Sequence, residues 1–105
     1  MTDAEFLQAV KRSVHEIDPQ AEVWLFGSRA RGDAREDSDW DFLILTEKPV
    51  DRPLKYQVRD HLCDVGLYGN EVRVIGSIIH SKHEWERTHS VTPLYRNINR
   101  DGVRL

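Results

Sequence analysis

The sequence predicts one α/β domain, with a small mixed sheet of three to four strands and helices packed mainly on one face. Apolar residues at helical spacing alternate with short β-branched runs in the order helix, strand, strand, helix, strand, helix. A length of 105 residues allows one modest core. Hydrophobic residues at 39% and charged residues at 31% are typical of a soluble globule. We therefore treat residues 1–105 as a single domain.

A first helix is predicted over residues 3–17. Its apolar residues recur every three or four positions and form one stripe, made of Phe6, Leu7, Val10, Val14 and Ile17. Thr2 or Asp3 suits the cap at its start, and Asp18-Pro19 ends it.

A first strand follows over residues 22–26, and Gly27 breaks it. A short helix is expected after Ser28 and ends at Gly32. The polar residues 33–38 then predict a loop before the next apolar run.

The second strand, residues 40–45, is almost continuously apolar, which predicts a central strand covered on both faces. A helix over residues 54–67 comes next, and Gly66 and Gly69-Asn70 are predicted to close it. Cys63 is also expected in the core. The inward positions of this helix are predicted to be Leu54, Val58, Leu62 and Val65, with Tyr56 as a further candidate.

The last third of the chain predicts one more core strand and two short helices. Residues 71–79 are rich in β-branched side chains and predict a third strand. A short helix over residues 81–88 is anchored by Trp85. Thr92-Pro93 is typical of the start of a helix, and residues 103–105 add an edge strand.

Bulk properties limit the class of partner and compartment. The net charge of −3 offers no attraction to nucleic acid, so we expect no direct nucleic-acid binding. The apolar runs are too short to span a bilayer, and no signal segment opens the sequence. The single cysteine, Cys63, excludes an internal disulfide and fits a reducing compartment. We expect a cytoplasmic protein without membrane contact.

The segment GSRARGDAREDSDWDF, residues 27–42, carries the clearest chemical signal. Asp39 and Asp41 are two residues apart at the start of a strand, so they face one side and Trp40 faces the other. Close carboxylates repel each other unless a cation lies between them. Mg²⁺ prefers oxygen ligands and combines one or two carboxylates with water and substrate phosphates. The pair therefore predicts a Mg²⁺ site, and its position at an apolar strand argues against a solvated turn.

The turn that precedes this pair predicts a phosphate site. Gly27 lets the backbone approach a ligand closely, and the amides from Ser28 onward lie at a helix N-terminus, where anions bind. Arg29, Arg31 and Arg35 either neutralise a triphosphate or compensate the neighbouring acids. We expect Arg29 to be the phosphate ligand among them because it is nearest to the turn.

These residues resemble the signature of the DNA polymerase β-type nucleotidyltransferase superfamily, which is Gly-Ser, ten residues and Asp-x-Asp. Gly27, Ser28, Asp39 and Asp41 meet it. More narrowly, the chain resembles the minimal nucleotidyltransferases, the MNT antitoxins of HEPN–MNT toxin–antitoxin pairs. The resemblance implies the minimal nucleotidyltransferase fold, Mg²⁺ on the two catalytic aspartates and ATP as substrate. It also implies AMP transfer to a tyrosine of a HEPN ribonuclease toxin, in a hetero-oligomer with that toxin.

The chain departs from the superfamily pattern at one position. The superfamily usually has a third carboxylate in the third strand, at a place that falls near Gly76 here, and the only acid of this predicted strand is Glu71. Two alternatives therefore stay open. One is a weak or inactive module that neutralises the HEPN partner by complex formation, and the other is a transferase for a small molecule or RNA end with a separate substrate subunit.

Overall fold

Helices and strands alternate along the chain in the computed structural model, which describes residues 1–68 and 71–105. The predicted helix stop at Gly69-Asn70 lies outside the described residues. In the described ranges, no helix is long and apolar enough to cross a membrane. The elements are, in chain order, α1 (Asp3–Ile17), β1 (Glu22–Phe26), α2 (Ser28–Arg31), β2 (Trp40–Thr46), α3 (Arg52–Gly66), β3 (Ile75–Ser81), α4 (Lys82–Thr88), α5 (Pro93–Asp101) and β4 (Val103–Arg104).

The four strands form one mixed sheet in the order β3-β2-β1-β4. β1 pairs antiparallel with β2 and with β4, whereas β2 pairs parallel with β3. The interior position of β2 explains its apolar sequence, because both of its faces are covered. The predicted fold class and the predicted central strand are confirmed.

The two fifteen-residue helices, α1 and α3, pack on one face of the sheet. α1 begins at Thr2, whose side chain accepts a hydrogen bond from the Glu5 amide while the Glu5 carboxylate accepts one from the Thr2 amide. The predicted apolar stripe of α1 is buried except for the partly buried Leu7. The core on this face includes Phe6, Val10, Val14, Val23, Leu25, Trp40, Phe42, Ile44, Val58 and Leu62.

The two short helices, α4 and α5, cover the opposite face. Trp85 of α4 and Ile98 of α5 are buried against Leu43 and Leu45 of β2. The prediction of helices mainly on one face therefore describes the long helices, and the short ones shield the second apolar face of β2.

The third strand begins at Ile75 and not at residue 71 as predicted. Trp40, the first residue of β2, pairs with Ile75, so the residues before Ile75 have no strand beside them. Val72 and Val74 are accordingly 71% and 58% exposed. β-branched composition predicted strand residues here, but a ladder needs a partner.

Two inward positions predicted for α3 were wrong. Tyr56 is 52% exposed, and Cys63 is exposed as well. The buried residues of α3 are spaced by four, at Leu54, Val58 and Leu62, so positions 56 and 63 lie off that stripe.

Candidate active site

The backbone turn at the end of β1 is built from a glycine in a conformation that other residues avoid. Gly27 has φ 78° and ψ −159° and directly precedes α2. Its carbonyl accepts from the amides of Ala30 and Arg31. In the described part of the chain, the amides of Ser28 and Arg29 donate to no protein group, so they remain available to an anion.

Asp41 lies beside this turn. It stands in β2 between Phe26 of β1 and Gly76 of β3. A Cβ atom at Gly27 would lie 2.6 Å from Oδ2 of Asp41, and one at Gly76 would lie 2.8 Å from Oδ1. The two carboxylate oxygens are thus each set against a residue without a side chain. Larger residues at either position would compete with the carboxylate for space.

Asp39 acts on this carboxylate through its charge. Burial raises the pKa of Asp41 above its ordinary value, the Asp39 charge adds to the rise, and the Arg31 charge opposes it. Within residues 1–68 and 71–105, neither aspartate forms a salt bridge or accepts a side-chain hydrogen bond. Trp40 between them is buried on the opposite face, as the alternation predicted. Asp39 is exposed and precedes β2, and its charge together with the partly buried Asp41 carboxylate forms an electrostatic site that favours a cation.

The structure places Arg29 against Trp40, whereas the charge of Arg31 acts on Asp41, and the role of Arg29 as a phosphate ligand stays a prediction. Arg29 stacks 4.5 Å from the centre of the Trp40 ring and donates to the carbonyls of Glu36 and Ser38. It therefore holds the 33–38 loop on the far side of β2. The Arg31 guanidinium is exposed, contacts Asp33 at 3.3 Å and interacts electrostatically with Asp41.

The donor set fits one hard divalent cation. Asp39 and Asp41 supply carboxylate oxygens, and Mg²⁺ needs only one or two of these when phosphates complete its coordination. Within the described residues, no cluster of three or more His, Cys, Asp or Glu side chains could hold a metal. Gly76 occupies the register position beside Asp41 where the third carboxylate was sought, and Glu71 lies outside β3 in a salt bridge to Arg73. The close approach of the Asp41 carboxylate to Gly76 becomes evident only once β3 is placed.

Comparison with known proteins points to one family. The sequence profile of the family described as nucleotidyltransferase domain matches residues 7–98. A relative named Probable protein adenylyltransferase MntA, from Haemophilus influenzae, is 39% identical over 59 residues. The aligned segment covers 56% of this chain and 48% of that relative, so it spans about half of the relative's length.

A solved structure supports the fold. A proposed nucleotidyltransferase from Sulfolobus solfataricus superposes with a TM-score of 0.52 at 23% sequence identity. The superposition covers 96% of this chain and 82% of that chain. At this level of identity the similarity concerns the arrangement of helices and strands.

Proposed function

This chain belongs to the nucleotidyltransferase domain family, and on that premise we propose that it transfers the AMP group of ATP to a tyrosine of a partner HEPN ribonuclease toxin. Nucleotidyl transfer follows from the family. ATP, the tyrosine acceptor and the HEPN partner are the proposal, in line with the resemblance described above. The name of the Haemophilus relative, a protein adenylyltransferase, supports a protein acceptor.

The proposed reaction exchanges one phosphorus–oxygen bond for another. The acceptor hydroxyl oxygen bonds to the α-phosphorus, and the bond from that phosphorus to the oxygen bridging to the β-phosphorus breaks. Pyrophosphate leaves with the bonding electrons. The hydroxyl proton passes to water, because the described residues hold no third carboxylate beside Asp41. The protein's contribution is therefore mainly positioning and charge.

The residues of the site divide this work. The free amides of Ser28 and Arg29 would bind phosphate oxygens through hydrogen bonds. The exposed Arg31 guanidinium would offset charge that develops on the leaving pyrophosphate. Asp39 and Asp41 would hold Mg²⁺, which when bound supplies charge neutralisation between the carboxylates and the triphosphate.

The observation that carries this proposal is the placement of Asp41 against the Gly27 turn. A Cβ atom at Gly27 would lie only 2.6 Å from Oδ2 of Asp41, so the carboxylate is close to the turn whose following amides are free. Phosphate donors and a cation ligand thus share one corner of the sheet, which is what a metal–triphosphate complex requires.

The proposal is tested by incubating the protein and its HEPN partner with ATP labelled at the α-phosphate, in the presence of Mg²⁺. We expect label on a tyrosine of the partner, loss of label with Asp41→Asn, and normal labelling with Asp37→Asn, an exposed loop carboxylate. Absence of label with the unaltered protein, or equal label with Asp41→Asn, would overturn it.

The missing third carboxylate favours a second candidate, an inactive module that neutralises the HEPN ribonuclease by covering it. The two candidates differ in their dependence on Asp39 and Asp41. If the Asp39→Asn/Asp41→Asn variant still forms the complex and still inhibits RNA cleavage, the binding module is favoured. If complex formation persists but inhibition is lost, the transferase is favoured.

A further inference from the structure

Among residues 1–68 and 71–105, no further strand pairs with the β3 edge of the sheet. β3 lies at the end of the strand order, and among the described residues it pairs only with β2. No residue of β3 is fully buried. Open edges of this length expose unpaired amides and carbonyls that can accept another strand.

The register shows which backbone groups are free. The Trp40 amide donates to the Val74 carbonyl at 2.9 Å, and Trp40 pairs with Ile75. In a parallel ladder a residue bonds to the two neighbours of its partner, so alternate residues of β3 bond to β2. The backbone groups directed away from β2 therefore belong to Ile75, Ser77 and Ile79.

Two grooves of about 280 Å³ each run beside this edge, between β3 and α3. We call the open side of Ile75–Ser81 together with these grooves the β3 edge. The first groove is apolar at its mouth, where Leu67, Val72 and Val74 are all more than half exposed. These side chains offer an anchor for an apolar residue of an added strand.

The charged residues that line the β3 edge are basic. Arg59 lines both grooves, Lys55 lines the second, and Arg73 lines the first. No aspartate or glutamate of the described residues lines either groove. Arg73 is paired with Glu71, but Lys55 and Arg59 form no salt bridge in the described part of the chain. This is a basic surface on a chain of net charge −3.

We propose that the β3 edge binds an extended, acidic segment of the acceptor protein as an added strand, and this rests on the proposed transfer function. Backbone hydrogen bonds to Ile75, Ser77 and Ile79 would supply the pairing. The charges of Lys55 and Arg59 would select aspartate or glutamate side chains in the segment.

The same edge leads directly to the candidate site. Gly76 of β3 is the register partner of Asp41, and the Asp41 carboxylate lies where a Gly76 side chain would begin, with Oδ1 2.8 Å from the position of a Cβ atom. A strand added outside β3 would lie about 10 Å from β2, two strand spacings away. A tyrosine in that strand can extend across Gly76 towards a nucleotide held beside Asp41.

The test uses the unmodified chain, labelled with ¹⁵N, and two synthetic ten-residue peptides. One peptide alternates threonine or valine with glutamate around a central tyrosine, and the other carries lysine in place of glutamate. We expect the acidic peptide to slow hydrogen exchange at the amides of Ile75, Ser77 and Ile79. We expect the lysine peptide to bind at least about tenfold more weakly than the acidic peptide. We expect added salt to weaken binding of the acidic peptide.

Matched variants locate the contact. Ser77→Pro removes an amide on the open side, where proline is tolerated at an edge, and Ser77→Ala is its control. We expect Ser77→Pro to weaken binding of the acidic peptide about tenfold and Ser77→Ala to leave that binding unchanged. If Ser77→Pro fails to fold, Lys55→Glu/Arg59→Glu replaces it, with Lys11→Glu/Arg12→Glu on α1 as a control of equal charge.

The outcomes separate this inference from the proposed function. Asp41→Asn should abolish transfer and leave peptide binding intact, so docking is measured without catalysis. Unchanged exchange at saturating acidic peptide, or equal binding by Ser77→Pro, would overturn the inference. Protection that increases with protein concentration in the absence of peptide would also overturn it, because a second copy of the chain would then occupy the edge.

Discussion

Replacing Gly27 by alanine tests whether the turn after β1 makes room for the Asp41 carboxylate. Gly27 has φ 78° and ψ −159°, a region that only glycine occupies readily. The new Cβ atom would lie 2.6 Å from Oδ2 of Asp41. The substitution therefore strains the backbone and displaces a proposed metal ligand at the same time.

The size of the effect follows from these two costs. A non-glycine residue in this backbone region costs about 1–3 kcal/mol. Asp41 can rotate away from the methyl group, at about 0.5–1.5 kcal/mol if it leaves its preferred rotamer. We expect Gly27→Ala to lower the free energy of unfolding by about 2–4 kcal/mol. The corresponding fall in melting temperature is roughly 10–25 °C for a domain of this size.

Gly32→Ala is the matched control. Gly32 also has a positive φ, 83°, but a Cβ atom there meets no described atom within 4 Å. Its expected cost is about 1–2 kcal/mol from the backbone alone. Urea unfolding followed by circular dichroism gives the stabilities, and calorimetry gives the affinity for ATP with Mg²⁺. The reasoning is refuted if Gly27→Ala costs no more than Gly32→Ala, or if it binds the nucleotide as tightly as the unaltered protein.

Four further predictions concern charged side chains. Burial and the Asp39 charge raise the pKa of Asp41, so ionisation of Asp41 destabilises the fold as the pH rises from 3.8 through the folded pKa. Asp41→Asn should therefore be more stable than the unaltered protein at pH 7 and lose that advantage in acid. Thermal melts at several pH values measure this difference. Burial raises the pKa of Asp18, but its hydrogen bonds, the one from Thr46 first among them, outweigh burial and hold that pKa below its ordinary value. Asp18→Ala should therefore lower the free energy of unfolding by about 3 kcal/mol at pH 7, measured by urea unfolding. The loss should be much smaller once acid protonates the carboxylate of the unaltered protein. Arg29→Ala should lower stability by about 2 kcal/mol through loss of its stacking and hydrogen bonds. Arg31→Ala should instead leave stability unchanged and weaken ATP binding about tenfold by calorimetry, and the reverse pattern would contradict both assignments.

The parts of the fold that depend on local signals could be predicted from the sequence. The predicted first and last residues of α1 and β1 match the structure, because a capping residue, an apolar stripe and a breaking glycine are all local features. The start of β3 could not be placed in the same way, since it depends on where β2 begins to offer a partner. Composition alone extended that strand into residues 71–74.

In the candidate site, too, some features could be predicted from the sequence and others could not. The spacing predicted that Gly27 and Asp41 come together, and the structure brings them into contact. Their roles in binding remain predictions. The choice between Arg29 and Arg31 was beyond the sequence, because residues two apart on a helix point in different directions and spacing does not say which one faces the site.

The exposed thiol of Cys63 gives the chain a built-in attachment point. It is the single cysteine of the sequence, and it lines the first groove beside β3. A maleimide dye will therefore attach at one position without any engineered substitution. Since Cys63 lies off the buried stripe of α3, a dye attached to it reports binding beside β3 without altering Asp41 or Gly27.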